Sequence, residues 1–314
     1  MRDGFRHGVG VLLLVAFGIV CLRGLTGFWP PGFIHSLQLH VGLAMLAGAG
    51  LMALLRRGWL ARLAFLAALI VTAQAVWLIV RSLPSAPAVT AEAEPLKVLS
   101  FNVLGDNLEN GAAIADFIQA SGADVAYVME AEPVGLHLDR LSKTYPYRIG
   151  CGAHTDTCDL LLLSKYPLTD IFVGSLSDLR RDRFAMANIN VRGAPLRLVA
   201  AHLSKPYFDD YHLEETEELA DVLEDFDGPL LLAGDFNASI LAPDMQRLLE
   251  RTGLTTTGLE PATWPIRAGR FGVPIDHIFI RAPLSARSLT RIPSNFGSNH
   301  YGLMADLLLP KSSP

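Results

Sequence analysis

"PLLLAGDFNAS", residues 229–239, carries five apolar residues into Gly234, Asp235, Phe236 and Asn237. The run reads as a buried strand that stops on an acid, with an amide two positions further on. Side chains alternate across a strand, so if the extended conformation continues, Asp235 and Asn237 face the same way and open into one polar pocket at a sheet edge. A loop leaving a rigid strand is a place where a site can be carried precisely.

Outward from this stretch, short β-rich runs alternate with helical patterns. Strands are expected over 96–103, 124–130, 160–168, 184–191, 196–203, 274–280, 286–292 and 302–309, the fourth and fifth as a hairpin around 192–195. Helices are expected over 109–122, closed by Gly122, and over 211–226, where the pattern is acidic and amphipathic. Polar residues of metal-ligand or acid/base type recur where strands stop. Asn102 ends the first, Glu130 the second and His202 the hairpin; Asp276 sits early in its strand, and Asn299 with His300 directly precedes the last. No internal repeat is visible in the letters.

The 314 residues are 51% hydrophobic and 18% charged, and mean hydropathy is positive. That is too apolar for an ordinary soluble domain. The excess lies before residue 82, in stretches 8–22, 37–55 and 63–80, and the second and third have about the 20 residues that a membrane span needs. Three transmembrane helices are expected, the first completed if Arg23 snorkels. A cleaved signal peptide is the rival reading for the first, but no small-x-small site follows, and Val20 before Cys21 suits lipoprotein processing badly. Arg2, Arg6, Arg56, Arg57 and Arg62 stand on one side of these spans, Arg23 and Arg81 on the other. The excess is expected to place the amino terminus in the cytoplasm and everything after residue 81 on the outer side of the membrane.

The expected organisation is therefore a membrane anchor over 1–81, a Pro, Ala and Ser linker over 82–95, and one α/β domain over 96–314. Seven of the 26 basic and three of the 31 acidic residues precede residue 96, which leaves the domain 19 and 28 and a net charge of −9. A basic nucleic-acid groove is not in that balance. Cys151 and Cys158 bracket "GAHTDT"; an outward-facing domain favours a disulfide, and a metal pair with His154 and Asp156 is the alternative. No protein partner is inferred.

"SFNV" (100–103), "DVAYVME" (124–130), "LLSKYPL" (162–168), "AAHLS" (200–204), "AGDFNAS" (233–239), "ATWP" (262–265), "PIDHIFI" (274–280) and "SNH" (298–300) follow the order found in the endonuclease/exonuclease/phosphatase superfamily. Residues 96–310 resemble that superfamily, in a membrane-anchored bacterial form. The resemblance implies a two-sheet α/β sandwich that hydrolyses phosphoesters with Mg²⁺ or Mn²⁺. It assigns Glu130, Asn102 and Asn299 to the metal, with Glu132 a neighbouring candidate. Asp235 matches the residue that orients or deprotonates the attacking water, Asn237 its companion, His300 and His202 the imidazoles at the phosphoryl oxygens, and Asp276 the acid behind His300. "SNH" stands where the family usually has S-D-H, so Asn299 keeps an oxygen but loses a negative charge. A degenerate phosphate-ligand receptor or membrane scaffold is the alternative function.

The substrate classes left open are nucleic acid, phospholipid head groups and small phosphoesters. Arg180, Arg181 and Arg183 are candidates to grip a phosphate. "ATWP" reads first as a packing and turn element, and the resemblance makes Trp264 a candidate to lie beside the substrate. His277 is expected to be structural. Glu214, Glu215, Glu217 and Glu218 are expected on a solvated helix face.

Overall fold

The computed structural model describes residues 2–24, 32–55, 58–84 and 93–311. The amino-terminal part is helical: α1 (Arg2–Cys21), a short α2 (Gly32–Ser36), α3 (Gln38–Leu55) and α4 (Trp59–Ser82). The rest folds as β1 (Ala93–Asn102), α5 (Gly111–Ala120), β2 (Val125–Met129), α6 (Glu132–Gly135), α7 (Leu138–Leu141), β3 (Tyr147–Ile149), β4 (Leu160–Ser164), β5 (Thr169–Gly174), β6 (Phe184–Val191), β7 (Ala194–His202), α8 (Tyr211–Glu224), β8 (Leu230–Asp235), α9 (Pro243–Thr252), β9 (Leu254–Thr256), β10 (Asp276–Arg281), β11 (Ser285–Arg291) and β12 (Leu303–Pro310). Most of the expected linker lies outside the described residues.

Two six-stranded mixed sheets stack face to face, in the orders β11-β12-β1-β2-β4-β3 and β5-β6-β7-β8-β10-β9. Each has one parallel pair at its centre, β1 with β2 and β7 with β8, flanked by antiparallel strands. The two sheets thus share one arrangement of parallel and antiparallel neighbours without repeating letters. Central strands such as β8 are buried on both faces, which is why they read as unbroken apolar runs. Leu198, Ala200, Leu231 and Ala233 meet Val98, Val125 and Tyr127 between the sheets. Helices α8 and α9 cover one outer face and α5 the other.

The carboxyl ends of both parallel pairs lie at one edge of the sandwich. Asn102 ends β1, Glu130 follows β2, His202 ends β7 and Asp235 ends β8. Gly234 permits the last approach: a Cβ there would lie 1.7 Å from the carbonyl oxygen of Ala201 on β7. The β6–β7 hairpin closes at Arg192 and Gly193, both with positive φ, the tight turn whose twist suits two antiparallel strands.

Several expectations need correction. The run 160–168 is strand only to Ser164, whose hydroxyl bonds the Tyr166 backbone before Pro167; the chain then crosses to the other sheet as β5. Strands β3 and β9 have three residues each, too short for a periodicity, and α9 was not expected despite its first-turn Pro243 and left-handed Gly253 cap. Glu215 is not on a solvated face. It is buried, and its carboxylate accepts from the Ser204 amide (2.6 Å) and from the hydroxyls of Ser204 (2.9 Å) and Ser177 (2.7 Å).

Among the described residues two helices, not the expected three, are long and apolar enough to cross a membrane: Gln38–Leu55 and Trp59–Ser82. α1 is shorter as an apolar element, because Arg2, Asp3, Arg6 and His7 confine its apolar part to Gly8–Gly24. Leu13 and Val20 of α1 pack against Met45, Ala49 and Met52 of α3 and Ala68 and Val71 of α4. The end of this bundle at Arg23, Ser36, His40 and Ser82 is bonded to the α/β domain. Arg23 donates to the Leu241 carbonyl (2.6 Å), Ser239 donates to both oxygens of Ser36, Gln246 and Thr256 donate to Ser82, and Arg81 pairs with Glu250.

Replacing Glu215 by Ala strands three donors in the core, and Glu215→Ala is expected to cost about 3 kcal/mol. Thermal unfolding should show a midpoint lowered by roughly 6–12 °C, whereas exposed Glu218→Ala should change it little.

Candidate active site

Asn102 joins the two sheets at their common edge. Its side-chain amide donates to Asp235 Oδ2 (2.9 Å) and to Glu130 Oε1 (3.1 Å), while its oxygen accepts from the Leu104 amide (3.0 Å). Glu130 adopts a left-handed φ of 53°, a strained turn for a residue with a side chain, and its Oε2 accepts from the Gly105 amide (2.8 Å). Asp235 is buried; its other oxygen accepts from the Asn237 amide (2.8 Å).

Two imidazoles converge on Asp235. The Nε2 atoms of His202 and His300 each lie 3.8 Å from Asp235 Oδ2. Behind each ring stands an acid: Asp276 Oδ2 is 2.9 Å from His300 Nδ1, and Asp159 Oδ1 is 2.6 Å from His202 Nδ1. Such pairing fixes which ring nitrogen faces the cleft. Burial opposes a charge on His300, yet Asp276 and Asp235 outweigh it and push its pKa up to about 9. Asp276 is itself oriented by Thr263, whose hydroxyl oxygen accepts from the Ile275 and Asp276 amides (3.1 and 3.3 Å).

The extended conformation does not persist from Asp235 to Asn237, which has a φ of 52°. Strand alternation is therefore not what brings the two together. The turn does so, with Asn237 Nδ2 donating to the Leu203 carbonyl (2.8 Å). Asp235, Asn237, Glu130, Asn299, His300 and Trp264 line a small pocket of about 90 Å³. Glu130 and Asn237 also face a polar cleft of about 660 Å³ with His202, Asp159, Arg180, Arg183 and Lys205. Arg181 does not line either space.

Asp159 was missed from the sequence because it reads as a spacer between Cys158 and β4. It holds His202 with one oxygen and Arg183 with the other, at 2.6 Å. Burial alone would raise its pKa, but His202 and Arg183 hold it at about 2, against an ordinary 3.8. Arg183 is thus already paired at the cleft wall. Burial, with Asp159 and Glu130 close by, raises the pKa of Glu132, which lines the same cleft. His277 lies away from it, between Glu260 (2.6 Å) and the Ala238 carbonyl (2.9 Å). Cys151 and Cys158 are disulfide-bonded beside Gly135.

Among the described residues, Asp235, Asp276 and His300 offer donor atoms within 4.8 Å of one another. The donors at this edge are mostly hard carboxylate and amide oxygens, beside two imidazoles, a set suited to a hard divalent ion. Asp276 Oδ1 is buried without a hydrogen-bond partner among the described residues, as expected where an ion, water or substrate completes the network.

Residues 99–300 match the model of the Endonuclease/Exonuclease/phosphatase family. No curated protein matches the chain. Solved structures share the fold at low identity. An endonuclease/exonuclease/phosphatase from Beutenbergia cavernae is 18% identical, with 69% of this chain and 72% of that chain covered and a TM-score of 0.53. D. rerio TDP2 complexed with a single-strand DNA product is 20% identical, with 68% and 98% covered and a TM-score of 0.55. A beta toxin from Staphylococcus aureus is 16% identical, with 67% and 99% covered and a TM-score of 0.51.

The depressed pKa of Asp159 stabilises the fold above its unfolded value of 3.8, and this contribution is lost as pH falls through about 2. Asp159→Asn is expected to cost about 2 kcal/mol at pH 7 and roughly half that at pH 3. Thermal unfolding of both proteins at the two pH values measures the difference.

Proposed function

The chain belongs to the endonuclease/exonuclease/phosphatase family, whose members hydrolyse phosphoesters with divalent metals, and from that premise we propose that it is a membrane-anchored, Mg²⁺- or Mn²⁺-dependent phosphoesterase. The observation that carries this reading is the convergence of two acid-backed imidazoles on one buried carboxylate. Their Nε2 atoms each stand 3.8 Å from Asp235 Oδ2, so a phosphoryl group bound against that carboxylate would come within reach of both rings.

Asp235 accepts a proton from the attacking water, and Asn237 holds that water or the phosphate. The water oxygen bonds to phosphorus as the bond from phosphorus to the leaving oxygen breaks, and the leaving oxygen takes up a proton. His300 and His202 donate hydrogen bonds to the phosphoryl oxygens, with Asp276 and Asp159 keeping the donating nitrogen turned toward them. Glu130 would hold the ion, with Asn102 and Asn299 beside it. A bound divalent cation offsets the charge that builds on the phosphoryl oxygens. We favour Glu130 over the Asp235, Asp276 and His300 group because the His300 Nδ1 lone pair or proton is engaged by Asp276, and Asp235 is needed at the water.

Membrane anchoring rests on α3 and α4, against which the shorter apolar part of α1 packs. The ends of α3 and α4 near Leu55 and Trp59, where Arg56, Arg57 and Arg62 fall, are opposite the ends bonded to the α/β domain. This arrangement supports a cytoplasmic basic end and a catalytic domain on the outer face. A reporter fused after Pro95 should be active only outside the cytoplasm. Activity inside would reverse the orientation.

The full chain in detergent is expected to hydrolyse bis-p-nitrophenyl phosphate with Mg²⁺ or Mn²⁺ and to stop with EDTA. Asp235→Ala and His300→Ala should each lower kcat about 10²- to 10⁴-fold. Asn299 gives the receptor reading its one support, and folded protein that binds Mn²⁺ but cleaves no phosphoester would favour that reading.

A further inference from the structure

The helical bundle supplies part of the wall of the candidate active site. Phe33 and Ser36 of α2 line the small pocket that holds Asp235, Asn299 and His300. They are fixed there: Ser36 is bonded to Ser239 through two hydrogen bonds, at 3.1 and 2.9 Å, and the Phe33 ring meets Tyr207 edge-on at 5.5 Å. One side of the site is therefore closed by residues that immediately precede a membrane-length helix.

A second cavity of about 320 Å³ adjoins that pocket, and Ser36 and Val273 line both. Its walls are largely apolar, with Leu39, Leu43 and Ile79 from α3 and α4 facing Leu259, Phe271 and Pro274 from the α/β domain. Leu43 lies on α3 beyond the domain contact and is 53% exposed, while Leu259 and Phe271 at the opposite wall are 74% and 68% exposed. Large apolar side chains left uncovered around a cavity mouth mark a surface that meets another apolar phase. On the far side of the catalytic side chains lies the polar cleft with Arg180, Arg183 and Lys205. Polarity thus changes across the site, from an apolar cavity at the membrane helices to a polar cleft open to water.

We propose that the substrate is a lipid phosphoester that stays in the bilayer, with its apolar chain in the cavity between α3, α4 and the 259–274 loop and its phosphate at Asp235, His202 and His300. This rests on the membrane-anchored phosphoesterase reading and adds the substrate class to it. One water is added across the P–O bond, leaving a lipid alcohol in the membrane and releasing phosphate or a phosphorylated head group into the polar cleft. A nucleic acid fits the same walls poorly. The cleft carries Asp106, Glu132, Asp159 and Asp209 among its few cations, and the domain has a net charge of −9.

The test uses the full chain reconstituted into phosphatidylcholine vesicles that contain phosphatidic acid or phosphatidylglycerol, with bis-p-nitrophenyl phosphate and single-stranded DNA as soluble comparators, all with Mg²⁺ or Mn²⁺. A lipid phosphoester is expected to be cleaved with kcat/KM at least 100-fold above either comparator. Leu43→Trp, which fills the cavity, and Leu259→Glu, an exposed position that folding tolerates, should each lower the ratio of lipid to diester cleavage at least tenfold. In EDTA, phosphatidic acid carrying a diazirine in its acyl chain should label the 32–43 or 256–274 segments, and Leu43→Trp should reduce that labelling. Diester cleavage without lipid cleavage, or preference for DNA, overturns the lipid inference and leaves the phosphoesterase reading standing. Loss of all three activities in folded, Mn²⁺-binding protein removes the phosphoesterase reading, and absence of acyl labelling then removes the lipid cavity with it.

Discussion

Three carboxylates, Glu130, Asp235 and Asp276, are gathered at one edge of a two-sheet sandwich, two of them fully buried. Buried charges of one sign are costly unless each is paired or hydrogen-bonded. The compensation is shared by a few groups: the Asn102 amide between Glu130 and Asp235, the His300 ring between Asp235 and Asp276, and backbone amides from Gly105 and Asn237. Asn102 has the largest reach, since it ends a strand of one sheet and bonds the last residue of a strand in the other. The register of the two sheets and the geometry of the site are therefore one constraint, and the parallel strand pairs whose ends meet here are its frame.

The same chemistry explains why the rings face the cleft. His202 and His300 stand equally far from Asp235, and each is held from behind by an acid. Asp159 also fastens Arg183, and the Asp276 backbone is anchored by the Thr263 hydroxyl. The strained φ of Glu130 and Asn237 carries their side chains off the strand ends into the same space. Strain of this kind persists only where surrounding bonds over-determine it, as they do here.

Much of this was legible in the letters. The strand ending at Asp235 and most of the β-rich runs follow from apolar periodicity, and the ordered motifs from 100 to 300 carried the family. What stayed hidden was set by contacts between segments far apart in sequence. Asp159 has no local pattern of its own and is recognisable only once β4 is placed beside β7. Glu215 shares a helix with solvated acids, and only the loop carrying Ser204 makes it a core residue. Asn237 reached the pocket for a reason opposite to the one that alternation suggested. The Ser36 to Ser239 contact, which seats the bundle against the site, involves two serines that no sequence pattern distinguishes.

The central claim is that Glu130 takes the ion while Asp276 and His300 remain an acid and imidazole pair facing the phosphate. Crystals of the protein soaked in Mn²⁺ and examined by anomalous scattering test it directly. The account predicts a peak within coordination distance of the Glu130 carboxylate, with His300 Nδ1 still bonded to Asp276. A peak bound jointly by Asp235, Asp276 and His300, with Glu130 uninvolved, would contradict it.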